Sequence, residues 1–100
     1  MTKLVALFKK PSDSEELDRY YTSTIVPLLK QLPGLQKLES TWILGAPFGD
    51  SKFHLMAELY FADRASMDAA MASSEGKAIA KNLLRFASDV ASLFHGEVHE

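Results

Sequence analysis

The chain has 100 residues, of which 47% are hydrophobic, and a formal net charge of −2; this is enough apolar content for one core and too short for a second. Acidic and basic residues are interleaved with no basic stripe, which argues against nucleic acid as a partner. The absence of cysteine excludes a disulfide scaffold, thiolate catalysis and a cysteine zinc site. No stretch approaches the roughly 20 apolar residues that cross a bilayer. The apolar run at 4–8 is too short for a signal-peptide core and is stopped by Lys9-Lys10-Pro11. The expectation is a single domain, 1–100, cytoplasmic and without a membrane partner.

The run at 3–9 is apolar on both parities, as in a strand buried on both faces. Ser12-Asp13-Ser14-Glu15 follows, with Ser12 and Glu15 in capping-box spacing, so a helix is predicted from about residue 13 to Pro27. Leu17, Tyr21, Thr24 or Ile25, Leu28 and Leu32 keep the spacing of a helix lying on a sheet. Pro27 lacks an N–H and crowds the preceding turn, so the helix bends or restarts there; the kink can line a cavity or simply end the helix. Pro33-Gly34 leads into a mixed strand over 35–44, with Leu38, Trp42 and Leu44 on one parity and Lys37, Glu39 and Thr41 on the other.

Residues 45–51 are turn material and read as a mobile loop. The strand at 53–61 has Phe53, Leu55, Ala57, Leu59 and Phe61 on its core parity, with His54, Met56, Glu58 and Tyr60 on the other. Asp63 can cap a helix through Met71 that turns Met67, Ala70 and Met71 inward. Ser73 or Ser74 can cap the next, which carries Ile79, Leu83, Phe86, Ala87 and Val90 at helical spacing. A last strand is predicted over 91–98.

Strand, helix, strand, strand, helices, strand is the split βαβ order of an α+β ferredoxin-like sandwich: a four-stranded antiparallel sheet with helices on one face. The uncovered face carries apolar side chains from the first and third strands, so a second copy stacked sheet to sheet as a C2 homodimer is expected.

His54 is the candidate proton carrier, since an imidazole can both take and give a proton; a polar residue at a dimer seam or sheet edge is the alternative. Glu58 stands four residues along the strand, about 13 Å away, so the two form no direct dyad. Tyr20, Tyr21, Ile25, Trp42, Met56, Glu58 and Tyr60 complete the candidate pocket, although core packing is sufficient for one tyrosine and is the favoured account of Trp42. Asp18-Arg19 reads as a solvated helix face. His95, Glu97 and His99 share a strand parity, but no further ligand clusters near them in sequence, so no metal site is assigned. The loop at 45–49 lacks the Gly-Lys-Ser/Thr ending of a phosphate loop.

Taken in order, Phe8-Lys9-Lys10-Pro11, Asp18-Arg19-Tyr20-Tyr21, Val26-Pro27-Leu28, Pro33-Gly34-Leu35, Ala57-Glu58-Leu59-Tyr60-Phe61, Ser74-Glu75-Gly76-Lys77 and Gly96-Glu97-Val98 resemble the EthD family. This family is named for ethyl tert-butyl ether degradation and lies within the dimeric α/β-barrel superfamily. The resemblance implies a homodimer that binds or acts on a small apolar organic molecule in catabolic oxidation, as an oxidoreductase or isomerase without a cofactor. The family places a histidine two residues before the proline of its Val-Pro-Leu step. Here that position is Ile25, which neither takes nor gives a proton, and this favours the alternative of a non-catalytic ligand-binding or accessory module.

Overall fold

β1 (Thr2–Lys9) is the inner strand that its two-sided apolar run requires. It pairs antiparallel with β3 (Phe53–Phe61) on one side and with β4 (Ala91–Glu97) on the other. β2 (Lys37–Trp42) pairs with β3 and closes the order β2-β3-β1-β4. This computed structural model describes residues 1–87 and 89–99. Burial follows position in the sheet: β1 and β3 are buried at alternate residues or better, while the edge strands β2 and β4 are largely exposed.

α1 (Ser14–Tyr20) is capped by Asp13, not by Ser12; Asp13 is the extended residue whose carboxylate accepts the Glu16 N–H at 3.0 Å. The next turn, Tyr21–Ile25, is π-helical, and the N–H of Val26 bonds the Tyr21 carbonyl five residues back. α2 (Val26–Lys30) then restarts with Pro27 in its first turn, where the missing N–H costs nothing. The extra residue in the π turn shifts the inward stripe. Leu17, Tyr21, Ile25, Leu29 and Leu32 are buried, and Leu28, expected inside, is only half-buried.

Asp63 caps α3 (Arg64–Ala72) by accepting the Ser66 N–H at 2.8 Å. The Ser73 hydroxyl caps α4 (Ser74–Ala87), accepting the Gly76 N–H at 3.1 Å and donating to the Ala70 carbonyl. Phe86 and Ala87, expected on the inner face of α4, have side chains outside the described set. Between helices and sheet lies one apolar cluster that includes Phe8, Tyr21, Ile25, Leu55, Leu59, Phe61, Met67 and Ile79. A ferredoxin-like α+β sandwich with all helices on one face of the sheet is therefore the observed fold.

Among the described residues, no layer covers the opposite sheet face in the single chain. Val5, Leu7, Met56 and Phe94 form its apolar part by register. Toward the other end the face is polar. Lys3 Nζ donates to Glu58 at 2.6 Å, and the Tyr60 hydroxyl donates to Glu39 at 2.8 Å. The ammonium groups of Lys3 and Lys37 lie 5.8 and 5.5 Å from the centre of the Tyr60 ring.

Candidate functional site

Alternation places His54 with Met56, Glu58 and Tyr60, but the structure separates them. Phe8 pairs with Leu55 and Lys9 with Phe53, so His54 is the extra residue of a β-bulge. A bulge leaves one residue unpaired and re-aims its side chain. The His54 ring reaches the helix-covered side, where its Nε2 lies 2.7 Å from Oδ1 of Asp18 on α1. Met56, Glu58 and Tyr60 remain on the uncovered face, so the expected single pocket is divided between two sides of the sheet.

The same carboxylate oxygen of Asp18 accepts the indole Nε1–H of Trp42 at 2.9 Å. Burial is the strongest single influence on Asp18 and pushes its carboxyl up. The hydrogen bonds from Trp42 and His54, together with the His54 charge, outweigh it and hold the group below 3.8. Asp18, with its side chain 38% exposed, is thus a partly solvated helix residue hydrogen-bonded to the sheet. Its register was available in the sequence, one position from inward Leu17 and three from inward Tyr21, but its partners on β2 and β3 were not.

Trp42 stands at the end of an edge strand and is 40% exposed, which corrects the reading that favoured the core. Its ring meets Tyr21 edge-on at 5.9 Å between centroids, and Tyr21 meets Phe8 in the same way at 6.1 Å. The Tyr21 hydroxyl is 2.5 Å from the Ser40 hydroxyl, a partner that sequence reading missed. Burial pushes the Tyr21 hydroxyl pKa up, against the lowering effect of that bond. Tyr20 lies on the flank of α1 and donates to Asn82 of α4 at 2.6 Å, tying the two helices together. Ile25 is 2% exposed within the core. On the uncovered face, the hydrogen bond to Glu39, then burial and the nearby Glu58, push Tyr60 up to about 12.

A second feature lies toward the β4 edge. A cavity of about 60 Å³ between the sheet and α2, α3 and α4 is lined by Leu4, Ala6, Leu29, Leu59, Ile79 and Leu83, among others, and all its lining residues are apolar or glycine. Leu93, 55% exposed, stands at its rim. None of the sequence-derived pocket residues lines it. Its signal in the sequence is the apolar stripe of α4, which is indistinguishable from ordinary core.

The EthD domain model matches residues 9–89. The chain belongs to the EthD family. An EthD family protein from Bacillus halodurans has a solved structure that superposes with a TM-score of 0.96 at 41% identity, covering 99% of both chains. An uncharacterised 11.0 kDa protein of Rhodococcus erythropolis, from the thcB-thcC intergenic region, is 30% identical over 98 residues, covering 97% of this EthD chain and 95% of the relative. A dimeric ferredoxin-like protein of unknown function from Jannaschia shares the fold, with a TM-score of 0.70 at 16% identity, covering 98% and 100% of the two chains. Among the described residues of this EthD protein, no helix is long and apolar enough to cross a membrane.

Proposed function

We propose that this EthD protein is a C2 homodimer, formed by stacking the uncovered sheet faces, that takes a small apolar organic molecule into the cleft at the β4 edge as part of catabolic oxidation. The observation that carries the reading is the cleft's lining, which offers no polar side chain to orient a hydrophilic substrate. Size narrows the ligand. About 60 Å³ is well below the roughly 150 Å³ that accommodates benzene, so the cleft as it stands suits a short alkyl arm. The family's association with a branched ether and the dimeric state of the Jannaschia protein support the two halves of the proposal.

Titration of ¹⁵N-labelled protein with ethyl tert-butyl ether tests the cleft by NMR. Saturable shifts at the Leu59, Ile79 and Leu83 amides are expected, and Ala80→Phe, which crowds the exposed border of the cleft, abolishes them. Shifts that are absent, or that survive Ala80→Phe, overturn the assignment.

The alternative, a non-catalytic accessory module, is favoured by one observation. Ile25, where the family places a histidine, is sealed in the core and puts no proton carrier there. Turnover of the ether by the purified protein alone marks a catalyst, and its absence marks an accessory.

A further inference from the structure

The bulge brings His54, Asp18 and Trp42 together at the β2 edge, away from the cleft that opens at the β4 edge. A carboxylate only accepts hydrogen bonds, and Asp18 is held in its ionised form by its two donors. The Nε2 of His54 must therefore carry a hydrogen and donate it to Asp18. In the neutral ring this leaves Nδ1 as an unprotonated acceptor, and no hydrogen-bond partner for it occurs among the described residues. A carboxylate that fixes the tautomer of an imidazole and stabilises its protonated form is the arrangement by which a histidine becomes a general base. The His54 side chain is 18% exposed and that of Asp18 38%, so the pair sits at the rim of the fold.

Trp42 supplies the other half. Its N–H is already used on Asp18, so what the 40%-exposed indole still offers is its π face. Tyr21 packs edge-on against the same ring and Ile43 N–H bonds the His54 carbonyl at 2.8 Å, which holds Trp42 and His54 in place from both sides. A π face beside an imidazole acceptor matches a planar aromatic molecule bearing an acidic hydroxyl.

We propose that His54 is the proton-accepting residue of a second site, in which a small aromatic hydroxyl compound lies against Trp42 and gives its hydroxyl proton to Nδ1. The products of this step are the aryloxide and the His54 imidazolium, whose charge faces the Asp18 carboxylate; the proton returns to the ligand or passes to water on release. His54 touches the ligand, and Asp18 is a positioning residue that acts through it.

Trp42 is the sole tryptophan, so its fluorescence reports this site alone. The probe is 4-nitrophenol, whose ionised form is yellow, studied at a pH where most of the free probe is protonated. Saturable quenching of Trp42 together with growth of the yellow band is expected for the wild-type protein. His54→Gln is expected to retain quenching while the ionised fraction of bound probe falls by about tenfold, the worth of one pKa unit. Asp18→Asn, whose amide oxygen still accepts from Trp42, is expected to weaken the yellow band and leave quenching in place. A merely structural Asp18 would change both together or neither. Circular dichroism confirms that each variant is folded, and His54→Asn serves if His54→Gln is not. Absence of saturable quenching, or a yellow band unchanged by loss of His54, overturns the proposal.

Discussion

The His54 imidazole and the Asp18 carboxylate lie 2.7 Å apart, although one stands on β3 and the other on α1. A single unpaired residue in the β1–β3 ladder makes this contact possible, and it brings a titratable pair to the foot of the exposed indole of Trp42.

Asp18 sets a pH dependence of stability. The carboxyl of Asp18 is lowered in the folded protein below 3.8, so between the folded and unfolded values the unfolded chain binds more protons and stability rises with pH. Its contribution is complete above the unfolded value and is lost as pH falls below 3.8. Urea midpoints measured from about pH 6 down to about pH 3 should converge for wild type and Asp18→Asn at the acid end. A gap between the two that stays constant through this range contradicts the assignment.

Gly76 lies at a close approach between α3 and α4. A Cβ there would stand 2.3 Å from the Ala70 carbonyl oxygen and 2.6 Å from that of Met71, so the helices must part to admit it. Gly76→Ala is expected to cost about 2 kcal/mol, lowering Tm by roughly 10 °C. Gly96→Ala, where nothing lies within 4 Å, should change stability by less than about 0.5 kcal/mol. Equal melting of the two variants would show that the approach of α3 to α4 is not constrained there.

The Tyr21–Ser40 hydrogen bond is asymmetric, because Tyr21 is 1% exposed and Ser40 is open to solvent. Tyr21→Phe lets Ser40 return to water and should cost about 1 kcal/mol; Ser40→Ala strands a buried hydroxyl and should cost more, up to about 3 kcal/mol. Denaturant unfolding of both single variants and the double variant measures the coupling. A greater loss for Tyr21→Phe than for Ser40→Ala would reverse the argument.

The proposed stacking of the uncovered sheet faces would put Phe94 at the seam. It is 50% exposed in the single chain, so Phe94→Lys introduces a charge without opening the core. Sedimentation velocity should give a dimer for the wild type and a monomer for the variant, with the circular dichroism spectrum retained. A wild-type monomer removes the stacked-sheet arrangement altogether.

Local patterns carried most of the architecture. Period-two and helical spacings placed four strands and the helices, and Asp63 and one of the pair Ser73 and Ser74 were legible as caps because a cap acts within three residues of itself. The family followed from ordered short motifs, as the match over residues 9–89 bears out, and the order of strands and helices implied the four-stranded antiparallel sheet. Pro27 announced an irregular helix, though not that one wide turn would precede it and shift burial from Leu28 to Leu29.

The candidate site was much less visible. His54 was singled out for its chemistry, but strict alternation put it on the wrong face, because a bulge arises from how two strands distant in sequence come into register. Asp18 looked solvated for the same reason: its partners, Trp42 and His54, are remote in the chain and meet it only when α1 packs over the β2–β3 edge. Spacing within one segment reports which residues share a face. Which faces meet, and where a strand slips by one residue, depends on packing between segments, and that arises only in the folded chain.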